Sequence, residues 1–185
     1  SCGKASPGVE IAVLDESGNP LPFGFKGEVA IKGRLLMGGY YNNIEATASI
    51  RLNGWQLTGD IGVFDEEGFL SLIDRKGDMI ITGGFNVYPS EIEQFIWGMP
   101  DIKDCAVIGT PHEKWGEQVT AVIELKKNGN ALSEDEIIKL CKNQLGSVKA
   151  PKKIIMVDKL PKSGVGKVLK RDLRARFWKN EVRKI

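Results

Sequence analysis

The chain has 185 residues, 42% hydrophobic and 27% charged, with a formal net charge of +2. That balance reads as soluble and globular rather than disordered, and no apolar run reaches the roughly 18–20 residues of a membrane-spanning helix. The charge is unevenly placed: residues 149–185 carry 13 Lys and Arg against three acids, whereas 1–148 carry 13 against 21.

In chain order, "VEIAVL" (9–14) alternates and predicts a strand. "DESGNPLPFG" (15–24) is dense in turn formers, and "GEVAIKG" (27–33) predicts a second strand. "NIEATASI" (43–50) predicts a short polar helix. "IGVFDEEGFLSLIDR" (61–75) reads as a hairpin around Asp-Glu-Glu-Gly. "KGDMIITGGFNVYP" (76–89) then gives a short strand, Met79–Thr82, and a Gly83–Gly84 turn. "SEIEQFIWG" (90–98) predicts a helix with a capping box, Ser90 to Glu93. "DCAVIGT" (104–110) and "QVTAVIELK" (118–126) predict strands. "SEDEIIKLCKNQLG" (133–146) predicts a second capped helix, Ser133 to Glu136, ended by Gly146. "KKIIMVD" (152–158) predicts a strand and "KRDLRARFWKN" (170–180) a basic final helix.

The expected fold class is therefore α+β. A β-rich piece, 1–75, precedes an α+β domain, 76–185, with a short antiparallel sheet and flanking helices. "DRKGD" (74–78) is the expected joint. The opening "SCGKASPGVE" has no basic stretch followed by an apolar one, so no signal peptide is expected. Three scattered cysteines, one histidine and no C-x-x-C argue against a disulfide framework or a zinc site, and fit a reducing cytoplasm.

Three stretches suggest chemistry. In "LPKSGVGKVLKR" (160–171), Lys167 follows Gly166 in a basic cluster. It is not a P-loop: Pro161 stands where the first glycine is needed, and Val168 where a hydroxyl should bind metal. Leu169 spoils the dinucleotide fingerprint in the same way. "GWQLTGD" (54–60) places Asp60 after Thr-Gly, and "DRKGDMIITGGFNVYPSEIE" (74–93) joins Asp74-Arg75 to the paired glycines. Taken singly, Asp60 reads as a turn residue, Arg75 as part of a solvated joint and Lys167 as one member of a basic face.

Together, in this order, the stretches resemble the C-terminal part of the acyl-adenylate-forming superfamily. Thr58-Gly59-Asp60 is similar to its T-G-D. Asp74-Arg75, Gly84, Pro89, Glu91 and Glu93 follow its D-R…G…P-x-E-[IV]-E, and 161–167 its P-K-[ST]-x-x-G-K. "MGGYYNNIEAT" (37–47) resembles a further family motif. The variant "DMIITGGFNVYPSEIE" looks most like fatty-acyl and aryl CoA ligases. The resemblance implies a carboxylic acid, ATP and CoA as partners, with acyl-AMP formed first and acyl-CoA second. It implies that Asp60 and Arg75 hold the ribose of ATP, and that Lys167 bridges carboxylate and nucleotide.

The resemblance also implies a C-terminal domain that swings after adenylation. Gly83, Gly84, Phe85 and Trp115 would then border a CoA channel. Gly77 falls at the family's hinge position, where Asp or Lys is usual. Gly164 and Gly166 are expected to leave the lysine loop free to bend. The family's phosphate loop and its adenine and magnesium motif are absent from the sequence. The chain therefore reads as a C-terminal fragment, inactive alone, with Mg2+ ligands expected upstream.

Two other readings stay open. One is the same fold serving a carrier-protein pantetheine or oxygen as acceptor. The other is a non-catalytic module binding RNA or anionic lipid through the basic segment, although stacking aromatics there are few. Neither nucleic acid nor an integral membrane segment is expected, and the acid's identity and the oligomeric state are not legible.

Overall fold

The computed structural model describes residues 1–127 and 132–178. The chain divides into two compact units, Ser1–Gly77 and Asp78–Ile185.

The first unit is a five-stranded antiparallel sheet: β1 (Val9–Leu14), β2 (Gly27–Gly33), β3 (Arg51–Leu52), β4 (Trp55–Phe64) and β5 (Leu70–Arg75). Strand β4 is its spine, pairing with β2 and, at its two ends, with β3 and β5. Alternation in β1 and β2 sends successive side chains to opposite faces. Ala12, Leu14 and Ala30 form one small core, and Val13, Val29 and Leu70 another. Helix α1 (Ile44–Ser49) starts at Asn43, whose side chain accepts the Ala46 N–H.

The second unit holds a sheet of β6 (Ile80–Thr82), β7 (Phe85–Val87), β8 (Ile102–His112), β9 (Gly116–Leu125) and β10 (Lys153–Val157). Helices α2 (Pro89–Trp97), α3 (Glu134–Leu145) and α4 (Lys170–Ala175) accompany it. Strands β8 and β9 pair antiparallel along almost their whole length, and β10 joins β9 in parallel. A parallel neighbour needs a long crossover, which α3 supplies.

Both faces of this sheet are covered. Cys105, Val107, Val119, Ala121 and Ile123 pack with Ile92 and Ile96 of α2 and Ile137 and Cys141 of α3. Ala106, Ile108 and Val122 face the other way, onto Leu160 and Leu173 of α4. That two-sided burial explains why β8 and β9 read as continuous apolar runs. Each fully buried aliphatic side chain contributes about 1.5–3 kcal/mol. The free cysteines divide the same way: Cys2 is exposed, Cys105 and Cys141 are buried.

Two expectations are corrected. Helix α2 begins at Pro89, one residue earlier than read, and Tyr88 at its N-cap makes no side-chain capping bond. Pro89 suits the first helical position, which needs no N–H, so the helix starts before Ser90 rather than at it. Asp60 lies within β4, not in a turn. Helix α3 does carry the expected box between Ser133 and Glu136, and ends at Gly146 with φ +84°. The last part of the predicted basic helix, 179–180, lies outside the described residues.

Candidate functional site

In the first unit, the Thr-Gly-Asp stretch is shaped by its own bonds. The Thr58 hydroxyl donates to the Val29 carbonyl (2.8 Å) and accepts the Asp60 N–H (3.1 Å). Between them Gly59 takes φ +74°, the left-handed region where a side chain is strained. Asp60 stands opposite Arg75 in the β4–β5 ladder, and Arg75 Nε reaches Asp60 Oδ1 at 2.8 Å. The guanidinium side chain stays 67% exposed and the carboxylate 23%. The result is a carboxylate acceptor and a fork of donors side by side at a strand end, suited to a ligand bearing adjacent hydroxyls. Just beyond, Lys76 pairs with Glu28 (2.7 Å) in the 3-10 turn Lys76–Asp78. A Cβ at Gly77 would meet nothing within 4 Å.

In the second unit, Gly83 and Gly84 have φ +56° and +85°. Two consecutive positive φ values define the tight turn that joins β6 and β7 with the twist of paired strands. The double glycine is thus required by the hairpin itself. Beside it lies a cavity of about 340 Å³ lined by Thr82, Gly83, Phe85, Trp115, Ser147, Val148 and Lys152. Of the four expected channel residues, Gly83, Phe85 and Trp115 line it; Gly84 does not.

Neighbouring bonds fix the cavity wall. The Gly83 N–H donates to the Trp115 carbonyl (3.0 Å). The His112 ring stacks on the Trp115 indole, 4.3 Å between centroids and 10° apart. His112 Nδ1 accepts the N–H groups of Lys114 (3.2 Å) and Trp115 (3.3 Å), which makes that nitrogen the unprotonated one. Buried Glu117 accepts the Ile81 N–H (3.1 Å), and a Cβ at Gly109 would stand 2.4 Å from its Oε2. Lys152 donates to the Ser147 carbonyl, and burial lowers its pKa, helped by the Lys142 charge. Ser147, Val148 and Lys152 carried no motif, so the sequence offered no signal for them.

The Lys167 stretch is also structured. Lys162 and Val168 form an antiparallel bridge. The Leu169 N–H donates to the Pro161 carbonyl, and the Ser163 N–H to the Lys167 carbonyl, both at 2.8 Å. Gly166 N–H closes the tip on the Ser163 carbonyl (2.9 Å), with φ +82° at Gly166. Lys167 is exposed, and its N–H bonds the Ser163 hydroxyl (3.2 Å). The expected loose glycine stalk is a hydrogen-bonded hairpin, and Gly166 is there for a turn.

The sequence model described as AMP-binding enzyme matches residues 1–41, and that of the AMP-binding enzyme C-terminal domain matches 91–167. The chain belongs to the AMP-binding enzyme family. A medium/long-chain-fatty-acid–CoA ligase, FadD8, of Mycobacterium tuberculosis is 42% identical over 100% of this chain and 34% of its own length. A feruloyl-CoA synthase of Amycolatopsis is 39% identical over 96% of the chain and 36% of its own. ATP-bound MatB from Rhodopseudomonas palustris superimposes with a TM-score of 0.87 at 43% identity, over 96% of this chain and 35% of that one. The chain thus spans about a third of the length of the relatives it matches. Among the described residues no helix is long and apolar enough to cross a membrane, and no cluster of three or more His, Cys, Asp or Glu could hold a metal ion.

Proposed function

We propose that this chain is the C-terminal part of an ATP-dependent carboxylate–CoA ligase. Residues 1–75 complete a large adenylation domain, and 76–185 form a mobile C-terminal domain turning about Gly77. The observation that carries the reading is the cavity at the β6–β7 hairpin, with its indole wall and lysine, in a chain whose second unit also presents Lys167 on a hairpin tip.

In the first half-reaction a carboxylate oxygen of the acid attacks the α-phosphorus of ATP, and pyrophosphate leaves. Asp60 accepts hydrogen bonds from the ribose hydroxyls while Arg75 donates to the same sugar. Lys167 stands between the two approaching anions. A fixed ammonium offsets their repulsion and stabilises the charge that develops. In the second half-reaction the CoA thiol attacks the acyl carbon and AMP leaves. Apolar Phe85, Trp115 and Val148 suit the arm and ring of CoA, and Lys152 suits its phosphates. Gly84, at the turn beside them, gives the arm close passage past backbone. Mg2+ would accompany ATP and neutralise its phosphates, and its ligands would lie upstream of this chain.

The deciding experiment is ATP–pyrophosphate exchange on the full-length protein with a panel of fatty and aryl acids, with and without CoA. Exchange with one acid class, and AMP release that needs CoA, is expected. Exchange with CoA-independent AMP release would move the assignment to another acceptor. Absence of exchange with every acid would overturn it.

A further inference from the structure

Glu93 of α2 does more than its place in the helix requires. It is 6% exposed, and Oε1 accepts the Val107 N–H (2.7 Å) and meets Lys170 Nζ (2.7 Å). Lys170 is the first residue of α4, three beyond Lys167. On the other side of the hairpin, Lys162 Nζ meets Asp104 Oδ2 at 2.5 Å. Asp104 is held in turn: its Oδ1 accepts Trp97 Nε1 (3.2 Å) and the Cys105 N–H (2.9 Å). Both strands of the Lys167 hairpin therefore end in a lysine pinned to a carboxylate on the body of the unit.

The flanks add to this. Buried Leu160 enters the hairpin with its N–H on Glu124 Oε2 (2.8 Å). Buried Leu173 leaves it, and one turn after Lys170, Arg174 meets Asp78 at 2.5 Å. Lys170 and Arg174 thus grip the body on either side of Leu173. Between Lys162 and Lys170 only seven residues, 163–169, remain, so the position of the tip follows from the position of its base.

We propose that Lys162 and Lys170 are positioning residues for Lys167. The two ion pairs clamp the hairpin base and set where the Lys167 ammonium stands. The catalytic part of this inference rests on the ligase reading above; the clamp itself does not. The Glu93–Lys170 pair, whose carboxylate is buried, suits such a task, because losing the lysine leaves a desolvated charge and strongly disfavours the altered state. Lysine at both ends also supplies attraction without adding side chains at the tip.

The test uses full-length protein with Lys162→Met, Lys170→Met and Lys170→Arg. Glu93→Gln is added because it keeps an acceptor for the Val107 N–H and removes only the charge facing Lys170. Hydrogen exchange of the Ser163, Gly166 and Leu169 amides reads the clamp directly. Faster exchange confined to 161–169 in both Met variants and in Glu93→Gln is expected, with Lys170→Arg close to wild type. In kinetics, adenylation kcat should fall about 10–100-fold, the scale of a misplacement near 1 Å, with little change in KM for ATP. Thioester formation from pre-made acyl-AMP should be retained, and Lys170→Arg should recover most of the lost rate. Unaltered exchange of the hairpin amides would overturn the clamp. Equal loss of both half-reactions would overturn positioning in favour of plain stabilisation. A wild-type protein lacking acid-dependent exchange would refute the ligase reading, while hydrogen exchange would still decide the clamp.

Discussion

In the proposed reaction Lys167 is the residue that bridges the two anions, and its substitution gives the sharpest prediction. Lys167→Ala in the full-length protein should slow adenylation by about 10²–10³-fold, the scale of losing one charge-stabilising donor. Thioester formation from pre-made acyl-AMP should survive, and half-reaction assays would expose a wrong assignment through equal losses. Gly84 makes a different demand. Its φ of +85° is strained for any larger residue, by about 1–2 kcal/mol. Gly84→Leu should therefore lower Tm and, in addition, impair the CoA step while leaving adenylation largely intact. A variant that loses only adenylation would contradict the channel. Asp60, Arg75 and Lys167 are candidates on their motifs alone, and the proposed roles rest on those. Their surroundings were not legible in the sequence, because Thr58 satisfies a carbonyl 29 residues away and Lys152 reaches the cavity from beyond α3. His112 lay in plain view as the one histidine, but only a folded turn could show its ring stacked on Trp115.

At the scale of elements, Glu124 on β9 joins three segments. Its side chain is 2% exposed, pairs with Lys103 of β8 and accepts the Leu160 N–H. The Lys103 bond, then the Leu160 bond, hold its carboxyl below the usual carboxylate range. A depressed pKa means stability that is present above the ordinary value near 4.5 and lost as pH falls below it. Urea denaturation of Glu124→Gln below about pH 4.5 should thus show a flatter acid limb than wild type. An unchanged slope would remove Glu124 from the account. Strands β1 and β2 and helix α3 were readable in full, since alternation and capping are local signals. Strand β7 was missed because three residues after a glycine pair carry no period. The first half of β4 was missed because "GWQLTGD" looks like a turn until Thr58 and Gly59 are seen bridging strands. Helix α2 was found, but Pro89 took the start that Ser90 was expected to hold.

For the whole molecule, the charge asymmetry takes on a new meaning. Within the basic stretch, Lys149, Lys162, Lys170 and Arg174 pair with Glu91, Asp104, Glu93 and Asp78 of the preceding chain. Much of what looked like a cationic tail is the complement of an acidic body. That supports an internal use of the charge over an RNA- or lipid-binding one, and salt-sensitive RNA binding would argue the reverse. The chain spans about a third of its relatives, so the 185 residues alone should catalyse no carboxylate-dependent ATP–pyrophosphate exchange. Exchange by the isolated chain would refute its being a partial enzyme.

The uneven burial of the cysteines has a practical consequence. Desolvation pushes the Cys141 thiol up to about 11, and raises that of Cys105 further still. Thiolate is the reactive form, so alkylating reagents at neutral pH should find one sulfur, at Cys2, in the native chain. Denaturant should release the other two. A maleimide dye would then mark the first unit singly, and the pace at which Cys105 and Cys141 become alkylated would time the opening of the second.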